Sequence, residues 1–458
     1  MTITASEVAR WAYGVNFDEI PPAARQVARS GILDAISVSL SGSRLDATRI
    51  VTQVALTGNA DEKSASLLGQ GRRASLMDAA LINGTAAHAE LFDDNSQPMI
   101  AHPSSPLVSA LLPLGQVRRK SGREVLTAYA CGFEVSVGLG RALNPGLYEK
   151  GWHVTRSLGL LGTTVACAKL LGLGVDQTVA ALGIASSMAS GLRQNFGTMT
   201  MALHVGLTAR DAVHAALLAE AGLLSDPQSL EGKYGYFQCF SGQQPRAVLL
   251  GQPWELLASG LIFKPYPSGA PTHAAVEAAI DIHRALHGAV DDIASVRCRV
   301  HPWNAMTLRD EPVRDTLQAR VSMRYCLAAG LRYGELTSQQ FEPACLADAQ
   351  MQRLMSVVTI DVDDSLPDNG LFPSEVQVQT KSGQVCSVRR EIPPGAPQRG
   401  WSLEEAQNKF RICGQGILST QALDQSLALG MALEHCEEIS ELCVNLQGDR
   451  PTKFGRLP

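Results

Sequence analysis

Aromatic residues are scarce in this chain, at 5% of 458 positions. A core of this size must therefore be closed by small aliphatic side chains, with Ala and Gly letting helices approach closely. Charge is sparse too: charged residues make up 18%, the formal net charge is -5 and the pI lies near 6.1. That balance gives no general attraction to nucleic acid or to an anionic membrane. The most basic runs, Arg118-Arg119-Lys120 and Arg72-Arg73, are short and read as solvated loops. No apolar run reaches the roughly 20 residues that span a bilayer; the stretch 158–173 is broken by Gly, Thr and Lys169. The first ten residues carry Glu7 and lack a basic segment followed by an apolar run and a cleavage site, so the expectation is a cytoplasmic protein. The 10 cysteines include no C-x-x-C pair and read as reduced thiols, neither zinc ligands nor disulfide staples.

What is present is helical periodicity. In residues 25–36, Ala28, Ile32, Leu33 and Ile36 share one face, and Pro21-Pro22 suits a helix start. The same pattern recurs over 76–91, 104–116, 122–143, 156–172, 175–190 and 206–222, which predicts an all-helical domain over 1–263. Beyond Lys264 the pattern changes. Residues 293–300, 358–363 and 375–380 alternate as strands do, and 385–388 completes a hairpin-like arrangement after Lys381-Ser-Gly-Gln. Helical stretches at 271–287, 315–331 and 347–354 lie between them, which predicts a smaller α+β domain over 264–395. Pro393, Pro394, Gly395 and Pro397 mark its end; 402–412 and 418–440 are helical again, and 396–458 is expected to return to the first domain.

Four segments concentrate histidine and unusual polar residues. In the first, His88-Ala-Glu-Leu-Phe-Asp-Asp-Asn leads to His102-Pro-Ser-Ser. Pro103, Ser104 and Ser105 open a helix, and a histidine near its N-terminus is held neutral by the macrodipole, as a general base requires. The competing reading makes His102 a polar cap and Asp93-Asp94 ordinary loop carboxylates; spacing alone favours that one. The second segment, Gly151-Trp-His-Val-Thr-Arg-Ser-Leu-Gly, sets His153 and Arg156 in a tight loop suited to gripping a carboxylate. The third, Asn195-Phe-Gly-Thr-Met-Thr, continues to His204, and the fourth runs from Lys264-Pro-Tyr-Pro to His273. Singly, His204 and His273 read as satisfied structural histidines.

Together, and in this order, these segments resemble the MmgE/PrpD family over nearly the whole chain. The resemblance implies a helical domain with a smaller α+β domain, a homodimer, a small carboxylate substrate, and catalysis without metal or organic cofactor. Two departures stand out. Family members read His-x-x-Asp-Phe-Asp-Asp where this chain has Leu91 at the first aspartate, with Glu90 beside it. The lysine and proline that follow Gly-Thr-Met-Thr in the family are here Met201 and Ala202, and methionine supplies neither a fixed cation nor a proton.

The family reactions move a proton at a carbon next to a carboxylate, a step that needs cationic and hydrogen-bond donors around the developing charge. On that basis His102 and His153 are the acid/base pair and Tyr325, where several members carry tyrosine, is an auxiliary donor. Lys264, Arg156 and Arg193 are candidates for the substrate carboxylate. Asp93, Asn95, Met201, His204 and His273 complete the expected substrate site. A lyase is the first reading, an epimerase or isomerase the second, and a catalytically impaired binding protein the third.

Overall fold

Helices carry most of the chain because its Ala and Gly content lets them pack with little side chain between them. The computed structural model describes residues 3–56, 64–245, 248–308, 312–368 and 370–448. They form two units: one comprises Met1–Ala89, Asp93–Leu261 and Ser402–Pro458, the other Glu90–Phe92 and Ile262–Trp401.

The first unit is helical, and its tightest contacts run through glycine. A Cβ on Gly206, in the helix Met199–Glu220, would lie 2.2 Å from the Leu81 carbonyl oxygen of the helix Leu76–His88. One on Gly84 would lie 2.8 Å from Gly206 Cα. The two helices therefore touch backbone to backbone, and this contact brings His88 and His204 into one neighbourhood. Gly132 and Gly162 do the same for Gly122–Leu143 and Gly159–Leu171: a Cβ on Gly132 would meet the Gly162 carbonyl oxygen at 2.7 Å. Ser121 and Glu124 close a capping box at the start of Gly122–Leu143.

This unit is not purely helical, which corrects the all-helical expectation for 1–263. Strands β1 (Ser64–Leu67) and β2 (Arg72–Ser75) pair antiparallel around a turn containing Gly69 and Gly71, both at positive φ. Four-residue strands of Ser, Ala and Arg carry too little β-branched signal to be read from sequence. Polar side chains pin the hairpin: Asn83 accepts from Leu68 N at 3.0 Å, and Gln116 accepts from Ser66 N at 2.8 Å.

The second unit holds a four-stranded sheet in the order β4 (Val358–Val362), β3 (Ile293–Val300), β5 (Ser374–Thr380), β6 (Val385–Arg390). The pair β3/β4 is parallel; β3/β5 and β5/β6 are antiparallel. One face is covered by the helices His273–Ala285 and Met323–Tyr333. Val376 and Val378 point into that core, as do Val296, Cys298 and Val300. A register shift between Ile293 and Ser295 lets Ile293 and Val296, three residues apart, face the same side. The expected helix 315–331 is two helices, Thr316–Arg320 and Met323–Tyr333, because Ser322 caps the second by accepting from Tyr325 N. Likewise the expected helix 418–440 stops at Met431 and is followed by a short 3-10 turn, Leu433–His435.

The glycine contact yields a stability prediction. Alanine at position 206 gains about 1 kcal/mol of helix propensity, but a methyl 2.2 Å from a backbone carbonyl oxygen must force two helices apart, at about 3 kcal/mol, the upper end of the usual cost of overpacking. Gly206→Ala is expected to destabilise the protein by about 2 kcal/mol, read from the denaturant midpoint. An unmoved midpoint would show that the helices do not meet at this distance.

Candidate active site

The helix Leu76–His88 ends on His88, and the chain turns at Leu91, which has φ of 55°. Aspartate tolerates this left-handed region better than leucine does, because its side chain can bond locally. The family pattern's aspartate thus suits the backbone at position 91, and leucine occupies it at some cost. Beyond the turn, Asp93 and Asp94 are fully buried. Asp93 receives His88 Nδ1, whose distances to its oxygens are 3.0 and 2.9 Å, and the Ser105 hydroxyl at 2.7 Å. Asp94 accepts from the Ser104 hydroxyl, which lies 2.6 Å from the Tyr129 hydroxyl. Burial, then the charge of Asp34, holds the Asp94 carboxyl well above its ordinary range, although the Ser104 hydrogen bond opposes this. Asp34, from the helix Pro22–Gly42, is also raised by burial and is countered by Lys409, which lies 2.7 Å away.

His102 stands just before the helix Ser104–Val117, with its side chain 17% exposed. Its Nδ1 is 2.7 Å from the Asp94 carbonyl oxygen and 3.5 Å from Asp93 Oδ2. Both neighbours can only accept, or in the case of Asp93 accept when ionised, so the ring hydrogen belongs on Nδ1 and the lone pair on Nε2. His88 is set the same way by Asp93. Its Nε2 is buried and has no hydrogen-bond partner among the described residues.

The loop before the short helix Val154–Ser157 supplies His153, whose backbone N donates to the Gly191 carbonyl at 3.0 Å. Its Nδ1 lies 3.0 Å from Nδ1 of His204, so one of the two rings donates and the other accepts. Ring centroids step from His102 to His88 at 4.6 Å, from His88 to His153 at 5.9 Å and from His153 to His204 at 5.2 Å. Burial holds His153 well below the ordinary histidine range, with the charges of His88, His204 and His102 adding to it and Asp93 opposing. His204 is lowered to about 4 by burial, then by Arg156 and His88. Both rings are neutral at physiological pH.

The other residues singled out in the sequence are placed as follows. Arg156 is buried; Nε donates to Ser190 Oγ at 3.1 Å, and Nη2 reaches the Met188 carbonyl and Asp211. Its Nη1 has no hydrogen-bond partner among the described residues. Arg193 lies over the Tyr148 ring and donates to the Tyr148 carbonyl at 2.7 Å. Asn95 is buried directly after the two aspartates. Met201 and His204 sit three residues apart on the helix Met199–Glu220, which Thr198 begins, several residues earlier than the periodicity suggested. In the second unit Lys264 is buried and donates to the Leu91 carbonyl at 2.9 Å. His273 Nε2 lies 3.3 Å from the Ser268 carbonyl oxygen, with its ring edge-on to Tyr266. The Tyr325 hydroxyl donates to the Gln340 carbonyl within that unit's core, and burial pushes its pKa far up.

His88 has no role legible from spacing alone, and neither do Asp34, Tyr129 and Lys409. The available signal was a lone charge, Asp34, in the otherwise uncharged run 30–43; no spacing announces Lys409 as its partner. Nor does the sequence announce the trio His88, Asp93 and His102, whose ligand atoms lie within 4.8 Å of one another, near enough for one cation.

Chemically, neutral histidines with a defined lone pair can accept a proton from carbon and return it. The chain belongs to the MmgE/PrpD family: residues 6–248 match the MmgE/PrpD N-terminal domain and 266–433 the MmgE/PrpD C-terminal domain. It is 27% identical over 455 residues to cis-aconitate decarboxylase of Homo sapiens, covering 96% of this chain and 93% of that protein. It is 25% identical over 486 residues to the cis-aconitate decarboxylase-like protein oryM of Aspergillus oryzae, covering 98% and 100%. Over 217 residues, 45% of this chain and 44% of the relative, it is 27% identical to 2-methylcitrate dehydratase of Cupriavidus necator.

The lowered histidines give stability a direction with pH. Their folded pKa values lie below the unfolded value of about 6.5, so as pH falls the unfolded chain takes up protons first. This contribution is complete above about 6.5 and is lost as pH drops towards 4, the range set by His204. His204→Asn is expected to unfold with a shallower dependence on pH between 7 and 5 than the native protein. Parallel melting curves against pH for the two would count against the neutral ring.

Proposed function

We propose that this enzyme is a cofactor-independent lyase that acts on a small carboxylic acid by removing a proton from carbon. The observation that carries the reading is the 2.7 Å contact between His102 Nδ1 and the Asp94 carbonyl, which leaves Nε2 of a partly exposed ring as the proton acceptor. In an elimination, His102 Nε2 takes the proton from the carbon next to the carboxylate. The electron pair forms the carbon–carbon double bond, and the hydroxyl leaves as water with a proton that His153, neutral at rest, first takes up from solvent; His102 then returns its proton to solvent. A ring whose cation is disfavoured gives up a proton readily once it holds one, and that supports His153 as the acid. The unpartnered Nη1 of Arg156, three residues beyond His153, supports Arg156 as a donor to the substrate carboxylate. The relatives are named as decarboxylases and a dehydratase, which supports lyase chemistry on an organic acid.

A second reading, epimerisation, draws on the presence of two histidines, since a base on each face of one carbon would invert it. Solvent-deuterium wash-in without loss of water or carbon dioxide identifies it; formation of an unsaturated product identifies the lyase.

Replacing His102 or His153 with Gln keeps a polar side chain that exchanges no proton near neutrality. Each variant should lose about 10²-fold or more in turnover while its melting temperature changes little. Near-native turnover in both would remove these histidines from the chemistry, and a lowered melting temperature with intact turnover would make them structural.

Met201 is buried in the first turn of its helix, one turn before His204. Restoring the family's cation with Met201→Lys is expected to shift preference among carboxylic acids, by about tenfold in relative kcat/KM, the scale of one charge-assisted hydrogen bond. A folded variant with an unaltered substrate profile would mark Met201 as ordinary core.

A further inference from the structure

A lysine from near the end of the chain is buried against an aspartate from near its beginning. Lys409, on the helix Leu403–Gly414, is 5% exposed, and its Nζ lies 2.7 Å from Asp34 Oδ1. Such a buried pair is poor evidence of stabilisation, because desolvation consumes the attraction and apolar residues commonly serve as well. Its geometry gives it another use. The other oxygen of Asp34 accepts from the backbone N of Asp94 at 3.2 Å. The Asp94 side chain is tied to Ser104, and Ser104 to Tyr129. Residue Asp94 is thus held at its N–H and by its side chain, and its carbonyl, in the next peptide unit, meets His102 Nδ1.

We propose that Asp34 and Lys409 are a positioning pair that holds the Asp94 carbonyl against His102 and so fixes which ring nitrogen accepts the proton. The inference deepens the assignment of His102 as base and rests on it. Asp93 is the more distant neighbour: its Oδ2 is 3.5 Å from His102 Nδ1 against 2.7 Å for the carbonyl, and its oxygens already serve His88 and Ser105. Lys409 opposes the burial and the Asp93 charge that raise the Asp34 carboxyl, and its ammonium holds that carboxyl in place.

Two double variants separate positioning from simple packing. Asp34→Leu with Lys409→Met replaces the pair by apolar side chains of similar size and removes the acceptor for Asp94 N–H. Asp34→Asn with Lys409→Met removes both charges but keeps a carbonyl acceptor. The readouts are the melting temperature, kcat and KM, and nitrogen NMR of 15N-histidine-labelled protein, with the His102 signals identified by their loss in His102→Gln. The first variant is expected to stay folded, lose about tenfold or more in kcat with KM little changed, and shift His102 away from the Nδ1–H tautomer, the scale seen when outer partners of a histidine are removed. The second is expected to keep the tautomer and most of the kcat. A folded Leu/Met variant with native tautomer and kcat would overturn the proposal. Should that variant not fold, loss of the tautomer in a folded Asn/Met variant would overturn it equally. Turnover of His102→Gln tests the base separately: full activity there, with a shifted tautomer in the Leu/Met variant, would refute the base while upholding the positioning pair.

Discussion

Carboxylates packed out of water are the constraint around which the helical unit is organised. Asp34, Asp93 and Asp94 are all buried, and each is accommodated differently. Asp34 has an ammonium group, Asp93 has an imidazole and a hydroxyl, and Asp94 has a hydroxyl and a raised pKa. An unpaired buried ion costs several kcal/mol, so each acid, where it is kept, needs a partner or a proton. Because the partners of Asp93 and Asp94 are His88, Ser104 and Ser105, all from one short segment, 88–105, the requirement to neutralise the acids also orients the His88 ring.

That orientation depends on helices that almost touch. A histidine on Leu76–His88 and another on Met199–Glu220 become neighbours only where Gly84 and Gly206 remove the side chains between them. The scarcity of aromatics noted in the sequence is the same fact seen from the other end: bulky side chains at these contacts would hold the rings apart. Burial in this close-packed setting in turn keeps His153 and His204 neutral, so packing density and proton affinity have one cause.

Much of this was legible in the sequence. The helices of the first unit follow the spacing of their apolar residues, and the alternation in 293–300 and 375–380 reads directly as the sheet's two central strands. The segments holding His102, His153 and His204 could be found by their unusual polar wording, and their order pointed to the family. The β1/β2 hairpin was hidden because four small residues per strand carry no period. Lys409 was hidden for a different reason: its partner lies 375 positions away in the chain, since 409 − 34 = 375, and only the folded backbone makes them adjacent. The acceptors of Arg156 and Tyr325 were illegible because donors look alike in sequence; Arg156 spends two nitrogens on its own unit, which leaves Nη1, and Tyr325 spends its hydroxyl.

The ion pair between Lys409 and Asp34 also bears on how the protein is made. A ribosome emits Asp34, both site aspartates and all four clustered histidines well before it reaches Lys409. Until the helix Leu403–Gly414 emerges, the acids beneath His102 lack the cation they face in the finished protein. The helical unit therefore cannot reach its final electrostatic balance before the helix Leu403–Gly414 is made, and maturation of the histidine cluster waits on a segment far downstream of it.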